Sequence, residues 1–245
     1  MTEKPKNTIA YSKPPLIEAL IDIQVSNQQE NIFDKLVLLA SKFADEYPNR
    51  ENLTSKKYEI KPFDDSIGVT NISTGLRLST LDKKHIVQIK DTGLTVSIVN
   101  GYNGWEELNK QAKNLWKQYI EALSPLAITR VAVRYINRID IPFLRFELED
   151  YFKVYPKVFD DVDLSGFFVQ LQFPQKQGGT AIIHEAVTTP ASPGSTSILL
   201  DLDIFDNCNF KPSDNKVWER FEILREQKNL LFENCLTDKA KALFI

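Results

Sequence analysis

The chain has 245 residues, 42% of them hydrophobic, and a formal net charge of −3. That is enough apolar material for one large domain or two small ones with a real core, and the charge offers no general attraction to phosphate backbones or anionic lipid. The two cysteines, Cys208 and Cys235, stand far apart with no CxxC spacing, which excludes a disulfide framework and a cysteine-based zinc site.

The opening MTEKPKNTIAYSKPP is polar and carries prolines. It holds no apolar run that would make a signal peptide, and no stretch elsewhere approaches a membrane span. Residues 1–13 are therefore expected as a flexible N-terminus, and the chain as a cytoplasmic protein without membrane attachment. In LIEALIDIQV, Ala19, Ile21, Ile23 and Val25 alternate with Glu18, Leu20, Asp22 and Gln24, the pattern of a strand with one apolar face. NIFDKLVLLASKFADEYP follows with Ile32, Leu36, Leu39 and Phe43 at helical spacing, Asn31 as candidate N-cap and Pro48 as a stop.

KYEIKPFD and IGVTNIS are less regular. GLRLSTL, HIVQIKD and LTVSIVN then come in quick succession, separated by DKK and TG, and predict an antiparallel meander. From Gly104 to Pro125 a helix is predicted, with Trp105, Leu108, Leu115, Trp116, Tyr119 and Leu123 on its apolar face and an end at Ser124-Pro125.

The next stretch, RVAVRYINRID, spaces Arg130, Arg134 and Arg138 by four, which fits one face of a helix or of a strand equally well. Flanking prolines and β-branched residues decide for a strand, on which Val131, Val133, Tyr135, Asn137 and Ile139 share one parity. The arginines line the other, with Ala132, Ile136 and Asp140. A short helix is expected around ELEDYFKVYP, then strands at GFFVQLQFP, TAIIHEAVTT and TSILLDLDIF, and a closing helix carrying Trp218, Phe221, Leu224, Leu231, Phe232 and Leu236.

The fold class that emerges is α+β. Its order, strand, helix, three or four antiparallel strands, long helix, occurs twice, over residues 14–125 and 126–245, and a duplication explains it economically. Trp105 and Tyr119 of the first long helix repeat at the same spacing as Trp218 and Phe232 of the last, with Ala122 and Leu123 then falling on Cys235 and Leu236. The two halves are expected to form one compact unit, with helices on one face of the antiparallel sheet. This plan is similar to helix-grip folds and to the TATA-binding protein, an analogy of architecture that carries no function.

With helices on one face, the opposite parity of each strand forms the other, and that parity is charged: Glu18 and Asp22, then Arg130, Arg134 and Arg138, then Asp201 and Asp203. One reading is a ladder of salt bridges on a solvated sheet; the other is a surface for a protein partner or a small anionic ligand, since the guanidinium fork suits carboxylate and phosphate. Asp201 and Asp203 also point the same way, as ligands of a hard cation do, but no third ligand is fixed beside them and no metal is assigned. Asn137, on the otherwise apolar parity beside Tyr135, needs its amide satisfied, either by a fold-specifying hydrogen bond or inside a ligand cavity between sheet and helices. His184-Glu185 lacks the second His of a zincin motif, and GxSxG, P-loop, GxGxxG and kinase signatures are absent. No cofactor or catalytic residue is assigned.

Together, KPPLIEALIDIQV, RYINRIDIP and NCLTDKAKALF resemble a sporadically distributed, functionally uncharacterised bacterial family with an N-terminal PPLIEA strand and a mid-chain RYINRI strand. The resemblance runs from Lys13 to the C-terminus. It implies no settled activity and no catalytic residues to carry over; its patchy distribution implies genes that move between genomes, including defence loci. The leading expectation is a non-enzymatic binding module using the charged sheet face. A ligand-sensing or enzymatic helix-grip domain with a pocket near Tyr135 and Asn137 is the alternative. Nucleic-acid binding across the sheet comes third, because the carboxylates on that face repel phosphates.

Overall fold

The structure, a computed structural model, describes residues 11–27, 32–60, 67–159 and 164–245. The expected N-cap Asn31 and the KPFD segment lie outside them. In chain order the elements are β1 (Leu16–Ser26), α1 (Ile32–Lys42), β2 (Asn49–Ile60), β3 (Ile67–Ser79), β4 (His85–Lys90), β5 (Gly93–Val99), α2 (Trp105–Leu123), β6 (Ala127–Ile141), β7 (Phe168–Pro174), β8 (Thr180–Thr188), β9 (Thr196–Phe210), α3 (Lys216–Cys235) and α4 (Asp238–Lys241). The protein is α+β, with a nine-stranded antiparallel sheet in the order β2-β3-β4-β5-β1-β6-β9-β8-β7. Among the described residues no helix is long and apolar enough to cross a membrane.

Two compact units divide the chain, one of Met1–Ala19, Ala132–Asp206 and Trp218–Ile245, the other of Leu20–Val131 and Asn207–Val217. In the second unit the meander forms because tight turns join strands of clean alternation. Gly93, at φ +149, enters β5 where a Cβ would fall 2.0 Å from the Ile23 carbonyl oxygen, so only glycine fits that turn. β2 and β3 are longer than the irregular sequence there suggests; they pair from Asn49↔Ser79 to Ile60↔Ile67, with a register shift at Leu53/Thr54. Backbone pairing holds them despite their polar composition. α1 buries Leu36, Leu39 and Ala40, and α2 buries Trp105, Leu108, Ala112, Leu115, Trp116, Tyr119 and Leu123. α2 ends where expected: Ser124 turns left-handed at φ 44 and its N–H donates to the Ile120 carbonyl, before Pro125.

In the first unit the core gathers Ile139 and Ile141 of β6, Ile183 of β8, Ile198, Leu200 and Leu202 of β9, and Cys235, Leu236, Ala240 and Phe244 from the C-terminal segment. The expected helix at ELEDYFKVYP is a single 3-10 turn, Leu148–Asp150, and the chain then runs Phe152 into an isolated antiparallel bridge with Leu236. That bridge corrects the expected closing helix as well: α3 stops at Cys235, whose carbonyl accepts from Lys153 N–H, and Thr237 caps a new turn, α4. Trp218 is only half-buried, tilted against Phe221. Tyr11 and Lys13, at the end of the segment expected to be flexible, hold the same C-terminus, through Tyr11 O–H to Glu233 and Lys13 N–H to the Phe244 carbonyl.

One core residue is costly. Glu185 of β8 is 0% exposed and neither carboxyl oxygen has a hydrogen-bond partner among the described residues. Burial pushes its pKa from 4.5 to about 8, and its own burial, followed by the charge of Glu185, pushes the Cys235 thiol up to about 12. The folded chain thus holds a proton up to about pH 8 that the unfolded chain releases near 4.5, so stability falls as pH rises through that window. Glu185→Leu is expected to stabilise the protein by about 1–3 kcal/mol at pH 7.5 and to flatten the decline between pH 5 and 7, which urea titrations across that range would measure.

Candidate functional site

β6 alternates as its sequence requires: Val131, Val133, Tyr135, Asn137, Ile139 and Ile141 are buried, while Arg130, Arg134, Ile136, Arg138 and Asp140 are half-exposed. Within the first unit, this second face of β6 meets the outward residues of β9, β8 and β7. Arg134 grips Asp201 with both prongs, Nε to Oδ1 at 2.8 Å and Nη2 to Oδ2 at 2.6 Å. The hydrogen bond to Asp201 is the largest influence raising the guanidinium's pKa; burial opposes it, and the charges of Asp201, Asp203 and Glu18 add to it. His184, which faces Asp201 in the β8–β9 ladder, sets Nδ1 3.3 Å from Asp201 Oδ2. Its Nε2 lies 3.1 Å from Gln170 Oε1, and its ring stacks on Phe168 at 5.7 Å between centroids.

Arg138 behaves differently. It pairs along its own strand with Asp140, Nε to Oδ1 at 3.1 Å, and Ser197 Oγ donates to the same carboxylate at 2.6 Å. The expected cross-strand ladder is therefore a mixture: Arg134–Asp201 crosses strands and Arg138–Asp140 does not, because the same-parity neighbour two residues on is already within reach. The carboxylates differ in exposure, 11% for the Asp201 side chain and 38% for Asp140. Arg134 thus relieves a carboxylate sunk into the sheet, whereas Arg138 holds an open, exchangeable pair.

The second unit has a separate cluster. Arg130 Nη1 donates to Asp22 Oδ2 at 3.1 Å, and Thr95 Oγ1 donates to Asp22 Oδ1 at 2.8 Å. Their side chains are only 20% and 16% exposed for Arg130 and Asp22, and Thr95 and Ser97 of β5 are buried. This part of the charged parity is packed rather than solvated.

Both oxygens of the Asp201 carboxylate accept hydrogen bonds from Arg134. No group of three or more His, Cys, Asp or Glu side chains suited to a metal occurs among the described residues. On the packed face, Asn137 Nδ2 donates to the Leu200 carbonyl at 3.1 Å, and the Lys228 ammonium lies 3.7 Å over the Tyr135 ring. Burial, helped by Arg225, lowers the Lys228 pKa to about 7 against the pull of Glu233. These two positions are thus occupied by the protein's own groups. An open cavity of about 420 Å³ lies instead in the second unit, lined by Phe43, Tyr47, Gln111, Leu115, Lys117 and Glu121 among others. Gln111 links Tyr47 to His85 there, donating to the Tyr47 hydroxyl and facing His85 Nδ1 at 3.3 Å.

Compared with models of known protein families and with curated proteins, the chain matches none.

Arg134→Ala is expected to cost about 1–3 kcal/mol, because it strands the sunken Asp201 carboxylate. Arg138→Ala is expected to cost about 1 kcal/mol or less, as open pairs do. Urea unfolding of the two variants side by side measures the difference, and equal losses would contradict this ordering.

Proposed function

We propose that the chain is a non-enzymatic, cytoplasmic binding module that engages a protein partner through the open face of its first unit, around Glu18, Arg134, Arg138, Asp140, His184 and Gln170. The observation that carries this is the matching of charge within the face, Arg134 against Asp201 and Arg138 against Asp140. A surface of alternating, locally neutralised donors and acceptors suits another protein, whose side chains exchange with the open Arg138–Asp140 pair. A small anion is the lesser form of the same reading, since it would compete with Asp201 for Arg134 or with Asp140 for Arg138. Nucleic acid is disfavoured because its phosphates would meet those same carboxylates. The resemblance to the sporadic bacterial family adds the expectation of a mobile or defence-type locus.

The finer architecture belongs to the same proposal. We read the chain as a duplicated helix-grip-like unit in which the opening strand of each half lies beside the closing strand of its meander. The support is the strand order, β5 beside β1 and β9 beside β6, with β4 and β8, then β3 and β7, following outward. On this reading β2 has no counterpart, and the short turn at Leu148–Asp150 stands where the first half has α1.

Native mass spectrometry of the protein purified gently at low salt from its host tests the function. The expected result is an added protein mass that Arg138→Glu abolishes while the far-ultraviolet circular dichroism shows the chain still folded. A chain that carries no protein, or that keeps its partner through Arg138→Glu, would overturn the reading.

A further inference from the structure

The two ends of the sheet are built differently. β2 at one end carries Arg50, Glu51 and Lys56, the usual guard against unwanted strand pairing. β7 at the other end, FVQLQFP, has no charge at all. It is mostly exposed, with Phe168 at 66% and Leu171 at 40%.

Which of its backbone groups β8 leaves without a ladder partner follows from the pairing. β7 pairs antiparallel with β8 from Phe168↔Ala186 to Pro174↔Thr180. Just beyond the strand ends, Val187 N–H donates to the Phe167 carbonyl and Gln175 N–H to the Gly179 carbonyl. Hydrogen-bonded pairs alternate in an antiparallel ladder, so the odd residues of β7 bond to β8 and the even ones direct N–H and C=O away from it. Phe168, Gln170 and Gln172 therefore offer donors and acceptors along the outer edge, and Pro174 offers only its carbonyl.

We propose that β7 pairs antiparallel with β7 of a second copy of this chain, about a two-fold axis through Gln170. In that register Phe168 exchanges backbone hydrogen bonds with the second copy's Gln172, Gln170 with its own equivalent, and Val169 lies opposite the second copy's Leu171, giving an apolar cross-strand pair. Self-pairing suits this strand because no like charges meet across the axis, the penalty that a strand such as β2 would incur. Directly opposed residues in an antiparallel pair project from the same side, so both copies present Phe168 and Gln170, and the His184 they contact, in one direction. A single strand pair is a small interface, and a dissociation constant on the order of micromolar is expected.

Sedimentation equilibrium at protein concentrations up to about 100 µM, combined with amide hydrogen exchange, tests this. The expected result is twice the monomer mass, with exchange at Phe168, Gln170 and Gln172 slowing as concentration rises. Leu171→Lys should restore the monomer by setting charge into the apolar pair. Gln172→Pro should do so independently, because it deletes an N–H that β8 does not use and so leaves β7 in place. A wild-type monomer throughout, a dimer that survives both substitutions, or a dimer in which those three amides still exchange freely would overturn the proposal.

Discussion

The constraint on which the structure depends is the two-residue period of β6. Its buried and open faces are so unlike that a slip of one residue would drive Arg134 and Arg138 into the core and set Val133, Tyr135 and Ile139 in water. Two contacts in the first unit then pin β6 to β9 from opposite faces. On the open side Arg134 holds Asp201, and on the packed side the Asn137 amide holds the Leu200 carbonyl. A buried polar group that finds its partner in only one register penalises the alternatives more than it stabilises the native pairing.

The core of the first unit accepts other polar groups on less favourable terms. Glu185 has no hydrogen-bond partner among the described residues, and half-buried Lys228 presses its ammonium on Tyr135. Their pH responses run in opposite directions. The cost of Glu185 grows from pH 4.5 until it is complete near 8, whereas that of Lys228 is fully present below about 7 and relieved as pH rises towards 10.5. Between about 7 and 8 the two slopes offset, so the stability of this unit is expected to change least with pH there. Nothing in the open face is needed to produce that behaviour.

How much was legible in the sequence depended on whether the signal was local. β1, β6, α1 and α2 were readable because period two or period 3.6 runs unbroken through LIEALIDIQV, RVAVRYINRID and the Trp105 to Leu123 segment. β2 and β3 were not, because they are held by backbone pairing and carry many polar residues. The break after Cys235 was invisible for a related reason: the helical pattern continues to Leu236, but a bridge to Phe152, far away in sequence, interrupts it. The arginine row was placed on the open face, but the sequence named no partner for each arginine, since spacing alone does not say whether a same-strand or a cross-strand carboxylate is nearer. His184 and Gln170 were missed as members of the cluster. The alternation of AIIHEAV against VQLQF was the signal that could have joined them, once the β8–β9 and β7–β8 registers were known.

Charge balance ties the face to the edge. The three arginines of β6 are each met locally, by Asp22, Asp201 and Asp140. On the open face of the first unit Arg134 and Arg138 are each met by a carboxylate, and the outer strand β7 carries no charged side chain. Steering by charge accelerates encounters by orders of magnitude and fades with salt, so a surface built in this way forgoes both effects. A protein partner of the kind proposed would be selected after contact, by the fit of hydrogen-bond donors and acceptors around Arg138, Asp140 and Gln170, at the unsteered rates of about 10⁵–10⁶ M⁻¹s⁻¹ that such association allows. Such kinetics would separate the proposed binding face from the unbalanced basic grooves by which proteins gather nucleic acids.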